Sequence, residues 1–138
     1  VVTVDVVSLK ALAITGAGDA EGDGLKAGEL NVHLAGSGDL RLRRLSADSL
    51  GLKLSGSGDV AASGRAGTLA VSIAGSGDVA ARELEADDVT VSIAGSGDAR
   101  VNARRTLSVS VAGSGDVEYT GDATVRSSIA GSGNVTKR

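Results

Sequence analysis

The stretch Leu69-Ala70-Val71-Ser72-Ile73-Ala74-Gly75-Ser76-Gly77-Asp78-Val79-Ala80-Ala81 alternates apolar with small or polar residues on both sides of a Gly-x-Gly-Asp turn. A period of two over this length is the pattern of a strand with one buried face, because successive side chains on a strand point to opposite sides. The apolar set is Leu69, Val71 and Ile73 before the turn and Val79 and Ala81 after it. No competing 3.6-residue period runs over a comparable length.

The turn is one of seven copies. It recurs as Gly16-Ala17-Gly18-Asp19, Gly36-Ser37-Gly38-Asp39, Gly56-Ser57-Gly58-Asp59, Gly75-Ser76-Gly77-Asp78, Gly95-Ser96-Gly97-Asp98, Gly113-Ser114-Gly115-Asp116 and Gly131-Ser132-Gly133-Asn134, at spacings of 20, 20, 19, 20, 18 and 18 residues. Self-similarity at such a period marks a repeat architecture, in which one unit cannot bury its own apolar stripe and stacked units can. The motifs hold 14 of the 21 glycines, so glycine here is punctuation and not linker. Counting by twos from Ile73 places Gly75, Gly77, Val79 and Ala81 on the inward side, where a side chain would crowd an inside corner. Softer corners are expected near Arg82-Glu83 and Asp87-Asp88, with Leu45 and Leu84 filling a third face. The expected fold is all-β, a parallel β-solenoid of about seven coils of 18–20 residues, forming one domain over residues 1–138.

Composition agrees with a repeated small core. Of 138 residues 41% are hydrophobic, yet the chain has no Phe, Trp, Met, Cys or Pro and a single aromatic, Tyr119, whose parity is inward. The core must therefore be Val, Leu, Ile and Ala. A net charge of -3 gives no basic footprint for nucleic acid. No apolar run reaches the roughly 20 residues that a membrane-spanning helix needs. Exposed columns test the register: Glu21, Arg41, Ala61, Ala80, Arg100 and Glu118 fall in one column, and Asp23 falls beside Arg43, so opposite charges become neighbours.

The recurring Ser-Gly-Ser-Gly-Asp and Ala-Gly-Ser-Gly-Asp turns between aliphatic strands, followed late in the chain by Tyr119-Thr120-Gly121, resemble the bacterial family called the putative auto-transporter adhesin head GIN domain. The likeness extends over essentially the whole chain. It implies a right-handed coil, a place in the bacterial cell envelope, periplasmic or extracellular, and adhesion without catalytic residues. Handedness comes from the resemblance alone. Members carry additional β structure ahead of the first motif, where this chain has only Val1–Leu12, which implies an uncapped first coil or the C-terminal repeat part of a longer protein.

Three features are candidate sites. Asp19, Asp39, Asp59, Asp78, Asp98 and Asp116 should form a column about 4.8 Å apart. Neighbouring carboxylates at that distance repel by about 0.9 kcal/mol even in water. Hydrogen bonds from a serine or backbone N–H at each turn would relieve this, and a line of weak calcium sites is the alternative. The nine-residue calcium β-roll period is absent. Secondly, Ser72, Ala74, Ser92, Ala94, Ser110 and Ala112 should make a flat outward face open to close approach by a partner. The third candidate, the acidic pair Asp87-Asp88, reads as a solvated corner, and His33, the only histidine, as an outward strand residue without the partners of a triad or zinc site.

No cofactor is expected. The functional expectation is a non-catalytic adhesin-like or envelope scaffold that contacts a protein or cell-surface partner. A solenoid that self-associates, end to end from its Val-rich start Val1–Val7 or through the Ala/Ser face, is the alternative, and a weak calcium- or polysaccharide-binding solenoid the third reading.

Overall fold

The computed structural model describes residues 2–4, 11–16, 20–23 and 26–137. Among them the chain is strand and turn throughout: β1 (Val2–Val4), β2 (Ala11–Gly16), β3 (Ala20–Asp23), β4 (Lys26–Gly36), β5 (Leu40–Gly56), β6 (Val60–Gly75), β7 (Val79–Gly95), β8 (Ala99–Gly113), β9 (Asp116–Thr120), β10 (Thr124–Gly131) and β11 (Asn134–Lys137). Every pairing is parallel and joins a strand to the one a turn away, as β5 with β6, β6 with β7 and β7 with β8. The result is a β-solenoid of about six turns. That is one fewer than the motif count, because each motif marks the boundary between turns.

Burial along β7 shows how one coil is folded. Val79 and Ala81 are buried, then Arg82 and Glu83 are both exposed; Leu84 and Ala86 are buried, then Asp87 and Asp88 both stand at the surface; Val89, Val91 and Ile93 are buried. Two neighbouring residues facing outward break the alternation and mark a corner. The three faces therefore meet at Gly95-Ser96-Gly97-Asp98, Arg82-Glu83 and Asp87-Asp88. Inward columns are aliphatic and run from coil to coil, as Leu34, Leu54, Ile73, Ile93 and Val111, each at most 1% exposed. A fully buried side chain of this kind contributes about 1.5–3 kcal/mol. Tyr119 packs half-buried against this core, in register with Val101.

The expectation that both motif glycines face inward holds only for the second. Gly58, Gly77, Gly97 and Gly115 are buried, while Gly56 and Gly75 are exposed and Gly95 and Gly113 half-exposed. The reason is conformational. The first glycine has a positive φ, +127° at Gly75, which turns the chain and ends the two-residue alternation. A Cβ on Gly75 would strike the carbonyl oxygen of Gly56 in the coil before, whereas one on Gly77 would strike both the Gly58 carbonyl and the Leu54 side chain. The first glycine makes the bend, and the second lets the next layer close upon it.

Coil length is adjusted away from the glycine corner, mainly at the second corner and once at the third. Pairing runs without a slip from Leu50↔Leu69 to Gly56↔Gly75 and then from Leu40↔Val60, and it shifts between Leu42 and Leu45. Likewise it shifts between Ala61 and Ser63, and between Ala81 and Glu85 with a further shift before Asp88. Arg43-Arg44 makes this second corner in a 20-residue coil, with Arg44 at φ +51°, and Gly64 makes it in the 19-residue coil at φ +134°.

Replacing Gly77 by Ala is expected to cost at least about 2 kcal/mol or to abolish folding, since backbone must move to admit the methyl. The same change at Gly28, where a Cβ would meet nothing within 4 Å, is expected to be neutral. Urea unfolding of the two variants makes the comparison, and equal midpoints would show that the close approach at the corner is unimportant.

Candidate functional site

Neighbouring coils are joined at the glycine corner by a repeated set of hydrogen bonds. The Ser76 N–H donates to the Gly56 carbonyl at 3.1 Å, and the Val60 N–H donates to the Asp78 carbonyl at 2.9 Å. Between them, the Asp78 N–H donates to Oδ1 of Asp59 at 3.4 Å. The same bond joins Asp59 to Asp39 at 3.3 Å, Asp98 to Asp78 at 3.1 Å, Asp116 to Asp98 at 3.1 Å and Asn134 to Asp116 at 3.2 Å. Each carboxylate thus stands in for a backbone carbonyl at the one place where the corner offers none. The donor is the N–H of the next coil's motif, not a serine or an N–H of its own turn. Asp19 and Gly18 lie outside the described residues, and Gly16 ends β2 in register with Gly36. Among the described residues no group of three or more His, Asp or Glu side chains is arranged to hold a metal.

The face before the motif is flat and built of small residues. Ser72 pairs with Ser92, Ser92 with Ser110 and Ser110 with Ser128, while Ala74, Ala94, Ala112 and Ala130 align beside them. Ala74, Ser92, Ala94, Ser110 and Ala112 are exposed, and Ser72 is half-exposed. Toward the earlier coils the serine column continues into Lys53 and His33, which are also in register. Shallow hollows of about 460 and 470 Å³ lie on this face, one bordered by His33, Lys53 and Ser72 and the other by Ser92, Ser110, Ser128 and Arg126. Serine hydroxyls and alanine methyls at the strand spacing offer a ruled surface with little side-chain entropy to lose on contact.

Other charged groups pair across neighbouring coils at the surface. Glu85 bridges Arg65 at 3.5 Å and Arg104 at 3.8 Å across neighbouring coils, all at the surface. Asp88 accepts a hydrogen bond from the Thr106 hydroxyl at 2.6 Å, in keeping with a corner residue. His33 lies beside Lys53, so no carboxylate orients it within its own column.

A family model described as putative auto-transporter adhesin, head GIN domain, matches residues 1–123. No curated protein matches the chain. Among solved structures, a putative lipid binding protein from Parabacteroides distasonis ATCC 8503 is 29% identical with a TM-score of 0.92, covering 99% of this chain and 56% of that one. A putative adhesin from Bacteroides fragilis NCTC 9343 is 27% identical with a TM-score of 0.87, covering 94% and 61%. A putative adhesin from Parabacteroides distasonis is 25% identical with a TM-score of 0.81, covering 99% and 64%. The chain thus spans less than two thirds of the length of these solved relatives.

The aspartate ladder separates hydrogen bonding from charge. Asp78→Asn keeps an acceptor oxygen and removes one charge from the column, and is expected to leave stability unchanged or slightly raised. Asp78→Ala removes the acceptor and is expected to cost about 1 kcal/mol. Thermal unfolding of both variants reads the difference, and a stabilising Ala variant would show that repulsion outweighs the bond.

Proposed function

The chain belongs to the putative auto-transporter adhesin, head GIN domain family, and on that premise we propose that it is a non-catalytic binding body of the bacterial envelope or exterior. It presents the flat Ser/Ala face to a protein or cell-surface partner. The observation that carries the reading is the uniformity of that face, in which Ser72, Ser92 and Ser110 and Ala74, Ala94 and Ala112 keep one register over successive coils. A core requires the inward columns to be repetitive; it makes no such demand on the outward ones. The other exposed central column changes character at almost every coil, from Arg41 through Ala61 and Ala80 to Arg100 and Glu118. A surface of this kind binds through many weak identical contacts, so affinity grows with the number of coils engaged and with the number of copies displayed.

Stacking of copies end to end is a weaker reading. At the last rung two inward columns end in polar residues, Ser127 aligned with Val109 and Lys137 with Tyr119, while Val125, Ile129 and Val135 continue the others. A charge in a core column penalises a further coil laid against it. The solved relatives extend beyond the length this chain covers, which supports its being one module of a larger protein.

The test is binding of fluorescently labelled protein to intact bacterial cells and to epithelial monolayers. Saturable binding is expected, lowered at least tenfold by the double substitution Ala94→Arg and Ala112→Arg, which roughens the face without touching the core. Undiminished binding by that variant would remove the face from the proposal. Light scattering against concentration checks the alternative: growth of large particles without a partner would favour self-assembly.

A further inference from the structure

The outward column along the middle of the face after the motif reads Glu21, Arg41, Ala61, Ala80, Arg100, Glu118, each paired with the next. It is symmetric in charge about the two alanines. There the surface carries nothing beyond Cβ and sinks into a groove of about 340 Å³, bordered by Arg41 and Arg100 and, along one edge, by the aspartates of the ladder. A second hollow of about 350 Å³ shares Arg41, Ala61 and Ala80 and reaches Arg43, Arg82 and Glu83.

The arginines differ in how they are held. Arg100 pairs with Glu118 at 3.5 Å and is 54% exposed. Arg41 forms no ion pair with a described residue. The two lie three coils apart, about 14 Å by the spacing of strands. An extended arginine side chain covers roughly half of that span, so both guanidinium forks can converge on one group seated above Ala61 and Ala80 when Arg100 exchanges Glu118 for that group. Such forks match the oxygens of a phosphate and bind it with two parallel hydrogen bonds each.

The other edge imposes a second requirement. Asp59 and Asp78 each use Oδ1 on a backbone N–H of the next coil, and Oδ2 carries no hydrogen bond among the described residues. They stand two positions before the alanines, at the entry to β6 and β7, about 6.6 Å away where the chain is extended. A bare anion over the floor would be repelled by these carboxylates, and a bare cation by the arginines. A ligand that carries both charges, spaced to match, satisfies both edges.

We propose that the groove over Ala61 and Ala80 binds a phosphoethanolamine group, with its phosphate between Arg41 and Arg100 and its ammonium against Asp59 and Asp78. The group occurs as a free compound and as a phospholipid headgroup, and the chemistry of recognition is the same for both. This face is not the Ser/Ala face, so the inference stands or falls separately from the proposed adhesion.

Amide shifts of isotopically labelled protein during titration with O-phosphoethanolamine provide the test. Saturable shifts centred on Asp59, Ala61, Asp78 and Ala80 are expected, with inorganic phosphate binding at least tenfold more weakly. Arg41→Ala with Arg100→Ala should weaken phosphoethanolamine at least tenfold. Asp59→Asn with Asp78→Asn should bring its affinity down to that of inorganic phosphate. Ala80→Leu fills the floor, leaves every charge in place and should abolish binding, which guards against an arginine variant that loses the fold. Shifts that are absent, scattered over the surface or preserved in these variants would overturn the proposal, as would equal binding of phosphate and phosphoethanolamine by the unaltered chain. Co-sedimentation with phosphatidylethanolamine vesicles, compared with phosphatidylcholine vesicles, assigns the source to a lipid headgroup, and binding of the free compound without co-sedimentation assigns it to a soluble ligand.

Discussion

Every coil must lie within hydrogen-bonding distance of the next along its faces and through the glycine corner. A strand spacing of about 4.8 Å is easily kept on flat faces and hard to keep where the chain turns sharply. At the glycine corner the backbones approach so closely that a single methyl at Gly56, Gly75, Gly95 or Gly113 would meet the neighbouring carbonyl. The pattern of the sequence is largely the imprint of that requirement. Glycine removes the obstruction, the motif aspartate supplies the acceptor that the bent backbone lacks, and the aliphatic columns follow because the faces between corners are brought into register.

The core works by sameness, without large residues. Aromatic side chains would supply more buried area each, but a ring in one coil needs room in the coils above and below. Leucine, isoleucine and valine in one column stack with little adjustment. One buried column is alanine throughout, Ala47, Ala66, Ala86 and Ala103. One local exchange shows the logic: Gly64 stands in the column between Leu45 and Leu84, where its missing Cβ leaves space for the Leu45 backbone. Tyr119 comes late in the stack and is only half-buried.

The strands, their register, the three faces and the exposed columns could all be read from the alternation of apolar residues and the return of Gly-x-Gly-Asp. Parity failed at the first motif glycine, because counting by twos assumes extended backbone and a φ near +127° is not extended. The partner of each aspartate was hidden for a related reason: the donor lies about 20 residues away, and its direction depends on the bend. For the surfaces, the sequence placed Ser92, Ala94, Ser110 and Ala112 on one face. The groove between Arg41 and Arg100 was visible only as a charge column, since a column tells which residues are neighbours and nothing of the hollow left where two of them are small.

Length variation falls mostly at the corner of Arg43-Arg44, Ser63-Gly64 and Arg82-Glu83, with one further step at Asp87-Asp88, while the glycine corner and the face leading into it hold a fixed register. Such a division works like the spine and fore-edge of a book: pages bound along one edge can differ in width along another without loosening the binding. Extra residues between Ser63 and Gly64 would project as a loop while Leu69 through Gly75 kept their partners. The solenoid can therefore gain or lose appendages at this edge without being refolded, and new loops can be tried there while the ordered faces on either side remain intact.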